Sequence, residues 1–94
     1  MPFTFSVDEQ AAVYLSIYDA KGNPVWINTT GTVIRGHKYT GAKVHTLHLV
    51  ILRPGQIKTL LNTAGLKAGQ KYKIRITAVD FDGHKVTEFT TFTG

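Results

Sequence analysis

The sequence predicts an all-β protein, an antiparallel β-sandwich of seven or eight short strands. Three observations carry this expectation. Apolar residues alternate with polar ones at a period of two; β-branched and aromatic residues, with thirteen Thr among them, fill the alternating segments; and Gly, Pro, Asn and Asp interrupt those segments at short intervals. No segment carries a convincing helical repeat. At 94 residues the chain reads as one domain, 1–94, of a size that withdraws ~65% of its unfolded surface from water on folding.

Strands are expected at 3–7, 13–18, 25–30, 32–35, 44–53, 57–62, 71–79 and 85–92. Along 13–18, Val13, Leu15 and Ile17 share one side and Tyr14, Ser16 and Tyr18 the other, which assigns the aliphatic set to the core. Along 71–79, Tyr72, Ile74, Ile76 and Ala78 alternate with Lys71, Lys73, Arg75 and Thr77. The apolar set is expected inward and the cations outward. The turns are equally legible: 18–24 (YDAKGNP) and 80–84 (DFDGH) each supply an Asp to start a turn and a Gly for a left-handed position, and read as hairpins. Residues 53–56 (RPGQ) read as a turn with Pro and Gly at its centre, and 36–41 as a polar loop carrying His37, Lys38 and Tyr39. The first and last strands, PFTFSV and TEFTTFT, hold few charges and are expected at sheet edges, open to a neighbouring subunit.

Charge is unevenly placed. The chain has a formal net charge of +5, and residues 35–75 hold nine Lys or Arg (Arg35, Lys38, Lys43, Arg53, Lys58, Lys67, Lys71, Lys73, Arg75) and no acid. All six acids (Asp8, Glu9, Asp19, Asp80, Asp82, Glu88) lie in the flanks. Such a distribution attracts anionic partners over about one Debye length, ~8 Å in physiological salt. The absence of Cys removes disulfides, thiolate metal sites and Cys nucleophiles. No basic n-region, long apolar h-region or membrane-length apolar run is present, so no signal or transmembrane segment is read in the chain as given.

Catalytic chemistry is poorly supplied. The two Ser, Ser6 and Ser16, fall inside expected strands with no nucleophile elbow around them. On one strand His45 and His48, three apart, point to opposite faces and cannot ligate one ion together without a bulge. Asp80-Phe81-Asp82-Gly83 starts like an oxygen-ligand loop but lacks the bidentate Glu, and reads better as a hairpin turn. No catalytic residue, cofactor or metal site is assigned, and the chain is read as not an enzyme.

Two stretches carry a resemblance. LNTAGLKAGQKYKIRITAVDFDGHKVTEFTTFT resembles the last three strands of a fibronectin type III domain, with Leu66 and Tyr72 in the places of that family's tyrosine corner. Ala68-Gly69 stand where the family usually has Pro. FSVDEQAAVYLSIYDAKGNPVW is similar to the Ig-like domain of flagellar hook-capping proteins and related bacterial surface modules; Trp26 falls one strand later than the fibronectin Trp. Residues 31–56 match neither pattern. The resemblance implies an Ig-like / fibronectin type III-like sandwich without catalysis of its own.

The expected function is therefore a non-catalytic structural or adhesive module of a larger extracellular assembly, whether cell-surface protein, filament or phage virion. It would act by docking to other protein subunits, or to itself through edge strands. Lys71, Lys73 and Arg75, joined by Lys58 if that residue sits on the neighbouring strand, form the candidate binding strip. The strip is read first as a solvated strand face, next as a docking surface for an acidic protein or glycan, and last as a nucleic-acid site. Base-stacking aromatics are missing from the strip itself, because Tyr72 points inward and Tyr14 and Tyr18 lie in the acidic front half. The alternative of a carbohydrate-binding accessory domain rests on Trp26, Tyr14, Tyr18 and Tyr39 as sugar-stacking platforms.

Overall fold

The computed structural model describes residues 2–35, 37–39, 41 and 43–94, and among these the chain is all-β with antiparallel pairing throughout. It forms ten strand segments: β1 (Pro2–Val7), β2 (Ala11–Asp19), β3 (Ile27–Asn28), β4 (Val33–Ile34), β5 (His37–Lys38), β6 (Lys43–Val44), β7 (Thr46–Ile51), β8 (Gly55–Leu60), β9 (Lys71–Asp80) and β10 (Lys85–Thr93). Two four-stranded sheets run in the orders β1-β8-β4-β5 and β10-β9-β2-β7, and β3 pairs with β6 in a small third sheet.

Alternation places the core. Phe5 and Val7 of β1, Ile34 of β4 and Ile57 of β8 meet Val13, Leu15 and Ile17 of β2, Leu47, Leu49 and Ile51 of β7, and Ile74 of β9 in one buried cluster. Each fully buried aliphatic side chain contributes ~1.5–3 kcal/mol of transfer free energy. Tyr72 is buried as expected, and its hydroxyl accepts a hydrogen bond from the Lys67 backbone N–H at 2.9 Å. Tyr72 also stacks on Phe92 with ring centroids 5.5 Å apart.

Both expected hairpin turns form around Asp carboxylates. Asp19 Oδ1 accepts from the N–H groups of Lys21 and Asn23, and Asp80 Oδ1 from those of Asp82 and His84. Gly22 and Gly83, at φ of 87° and 90°, supply the left-handed positions.

The middle of the chain departs from the expectation. The single strand foreseen over 44–53 breaks at His45 into β6 and β7, which belong to different sheets. Of 25–30 only Ile27–Asn28 pairs, preceded by an isolated bridge between Tyr18 and Pro24. His37 and Lys38, foreseen in a polar loop, pair with Ile34 and Val33 instead. Arg35 holds a left-handed φ of 52° beside them, a conformation usual for Gly or Asn, so the short hairpin had no conventional turn residue at that position. Gly36 and Thr40, which belonged to the same loop expectation, lie outside the described residues. The turn at 53–56 carries the chain across from one sheet to the other rather than joining paired strands.

Candidate binding face

The outer face of the second sheet gathers most of the residues singled out by sequence. Lys71, Lys73 and Arg75 project from β9 and are exposed. The pairing of β2 with β9 sets Ser16 opposite Arg75, Tyr18 opposite Lys73 and Tyr14 opposite Thr77. On the other side, β10 places Phe89 opposite Arg75, Thr87 opposite Thr77 and Lys85 opposite Val79. Directly paired residues share a face. Aromatic rings therefore flank the cations on both sides.

These neighbours touch along the diagonals. The Arg75 guanidinium carbon lies 5.2 Å from the Tyr18 ring centroid, and Lys73 Nζ lies 5.4 Å from that of Phe89. Exposed cation–π pairs contribute ~0.5–1 kcal/mol each and hold the cations in place on the sheet. Tyr14 stacks on His48 of β7 at 4.7 Å, with ring planes 13° apart. Tyr18 meets His45 edge-on at 5.0 Å, and Trp26 lies 6.2 Å beyond His45. A ridge of rings thus runs from Trp26 through His45 and Tyr18 to Arg75.

Beside that ridge lies a shallow depression of about 460 Å³, lined among others by Tyr14, Arg75, Lys85 and Phe89. Phe89 is 60% exposed and Trp26 61%, whereas Ser16 and Thr77, between the long side chains, are buried although they face outward. Ser16 Oγ and Thr46 Oγ1 are hydrogen-bonded at 2.9 Å, which ties β2 to β7 on this face.

Two expectations about the candidate residues need correction. Lys58 is not on a strand adjacent to β9: it lies on β8, opposite Thr4 of β1, in the other sheet. The neighbours of β9 are β10 and β2, because the chain crosses between sheets from β8 to β9, and Lys85 rather than Lys58 extends the basic strip. Tyr39 is no free platform. It is half-buried and packs on the core, with His37 edge-on at 4.7 Å, and burial pushes its hydroxyl pKa up.

Sequence reasoning also held Tyr14 and Tyr18 apart from the cations, on the ground that the front half of the chain is acidic. The β2–β9 pairing removes that separation. His48, weighed in the sequence only as a metal ligand, and Phe89 join this face through register, His48 opposite Tyr14 on β7 and Phe89 opposite Arg75 on β10, and strand pairing is the signal that finds them.

The Asp80 turn is a separate cluster. One ligand atom each from Asp80, Asp82 and His84 lie within 4.8 Å of one another. Desolvation raises the Asp80 pKa, but hydrogen bonds from the His84 backbone and ring, its charge and the Asp82 N–H outweigh it and leave the carboxyl below its ordinary value. Asp80 Oδ2 is 3.0 Å from His84 Nδ1. Both Asp80 oxygens are thus engaged within the turn, whose geometry those bonds explain.

No helix among the described residues is long and apolar enough to cross a membrane. No protein-family model, curated protein or solved structure matches the chain.

Proposed function

We propose that the chain is a non-catalytic, Ig-like β-sandwich module that serves as a structural or adhesive part of a larger extracellular assembly. In this reading it holds an acidic protein surface against the outer face of β7, β2, β9 and β10. The observation that carries it is the row of Lys71, Lys73, Arg75 and Lys85 set between Tyr14, Tyr18 and Phe89. Cations fixed over rings present a preorganised positive surface, which favours encounter with acidic partners.

The Ig-like assignment draws support from strand order. The last two strands, β9 and β10, join β2 in the way that strands F, G and C share one sheet of an immunoglobulin domain, and β1 pairs with β8 as B does with E. The Tyr72 hydroxyl bonded to the Lys67 backbone agrees with a tyrosine corner. One departure stands against a simple match: β7, beside β2, is reached only after the chain has visited the other sheet in β4 and β5.

Titration with poly-L-glutamate tests the docking reading. Binding should weaken as salt rises and should be lost in a Lys73→Glu, Arg75→Glu double variant. Absence of binding at low salt, or binding that the variant leaves untouched, would overturn it. Catalytic turnover of any kind would overturn the module reading as a whole.

A second reading, a carbohydrate-binding accessory domain, is favoured by the exposed Trp26 at the end of the ring ridge, since such rings stack on sugar faces. A glycan array with no hit would remove it. Single-stranded DNA belongs in the same panel as a competitor, because interleaved rings and cations also suit stacked bases. Affinity for DNA that exceeds that for poly-L-glutamate at matched salt would favour that ligand instead.

A further inference from the structure

The two sheets do not end together. β1 is paired with β8 from Pro2 opposite Leu60 to Val7 opposite Gly55, and on its other side no strand lies among the described residues. β10 ends the second sheet in the same way. Val86 of β10 sits opposite Ala78 and Glu88 opposite Ile76, and both of those partners pack on the core. Val86 and Glu88 therefore face the inner side of their sheet. Val86 is nevertheless 60% exposed, and Glu88 is exposed too. The first sheet leaves these two inward positions of β10 uncovered.

A cleft of about 200 Å³ opens at that place, with Phe5, Val7, Ile76, Ala78 and Val86 among the residues that line it. Asp8, Glu9, Asp80 and Glu88 line it as well. Four of the six acidic residues of a chain with net charge +5 thus line this cleft, together with His84, whose ring nitrogen lies 3.0 Å from Asp80 Oδ2.

We propose that this cleft receives a single extended strand of another protein, basic in character. Its backbone would hydrogen-bond to the free edge of β1, its apolar side chains would cover Val86, and its Lys or Arg side chains would meet Asp8, Glu9 and Glu88, the carboxylates of the cleft not held within the Asp80 turn. Charge complementarity selects this occupant over a second copy of the chain. Of the copy's own sheet edges, β1 carries no charged residue, β10 carries one Lys and one Glu, and β7 carries neither acid nor Lys or Arg. The remaining edges, β3, β5 and β6, are two residues long each.

The test is an NMR titration of isotope-labelled protein with decapeptides that alternate Lys or Arg with Val, Ile or Thr. Two controls accompany it: the same peptides with Glu in place of Lys and Arg, and the basic peptides N-methylated on alternate backbone nitrogens. The basic peptides should shift the amides of 3–7 and slow their exchange, and should shift Val86 and Glu88. Methylation should abolish the effect. Asp8→Lys with Glu88→Lys, both at exposed positions, should weaken binding by ~10-fold or more, and Lys21→Glu should leave it unchanged. If no basic peptide moves these amides, or if the acidic or methylated peptides bind as well, the proposal is overturned. Concentration-dependent protection of 3–7 in the protein alone would also overturn it, by making a second copy the occupant.

Discussion

Tyr72 illustrates how much one residue can carry in this protein. Its ring is buried and stacked on Phe92, and its hydroxyl closes a hydrogen bond to the loop before β9. Replacing Tyr72 with Phe keeps the ring and removes the bond. The expected cost is ~0.5–1.5 kcal/mol, visible in circular dichroism as a melting temperature lowered by several degrees. Along the same strand, inward and outward residues should behave very differently. Ile74→Ala opens a cavity in the core and should cost ~2–5 kcal/mol, whereas Lys73→Ala removes only exposed contacts, the Phe89 cation–π pair among them, and should stay within ~1 kcal/mol. Equal losses from the two substitutions in urea denaturation would contradict the assignment of faces. That assignment was legible beforehand, because a period of two in LKAGQKYKIRITAV admits one apolar face only.

Among the elements, the two Asp-centred hairpins make the protein sensitive to acid. Hydrogen bonds from the Asn23 backbone and side chain and from the Lys21 backbone, with the Lys21 charge, lower the Asp19 pKa against a smaller opposing effect of desolvation. The Asp80 pKa is lowered as well. A carboxyl whose pKa is lower folded than unfolded adds stability that is fully present above its unfolded value, ~3.9, and is lost as pH falls through the folded value. The melting temperature should therefore be flat in this respect above about pH 5 and should fall below about pH 4. An Asp19→Asn, Asp80→Asn double variant should show a shallower fall over that window; an unchanged slope would remove these turns as its source. Both turns were readable from Asp and Gly spacing. The β4–β5 hairpin was not, because its left-handed position is held by Arg35, and nothing in the side chain of Arg announces that conformation.

For the whole molecule, the arrangement of charge is a consequence of topology. Because β2 and β10 flank β9, a basic strand from the second half of the chain lies between aromatic residues drawn from both ends. Because the cleft is lined by the end of β1 and by β9 and β10, acidic residues from the two ends of the chain, Asp8 and Glu9 with Asp80 and Glu88, come together at it. The molecule is thus basic on one outer sheet face and acidic at one open edge. Reversing Lys73 and Arg75 to Glu should leave the fold intact, since both are exposed, while abolishing retention on a polyanionic column at low salt. Retention equal to that of the parent protein would show that the positive surface lies elsewhere, with Lys58 on the opposite sheet as the first candidate.

The sequence by itself determined the all-β class, the six long strands to within a few residues, the inward and outward faces of β2 and β9, the two Asp-Gly hairpins and the burial of Tyr72. Each of these follows from local rules: side-chain alternation, turn chemistry and the exclusion of apolar surface from water. Only the tertiary structure decided which strands are neighbours. Lys58 went to the wrong sheet in the sequence reading, and Tyr14 and Tyr18 were kept from the cations they flank, for the same physical reason. Alternation says which way a side chain points, but the partner of a strand is chosen by long-range packing that no local pattern encodes. The outward cations of KYKIR are a strand face by local logic; β2 and β10 surround them with rings, and that is a property of the assembled sheet.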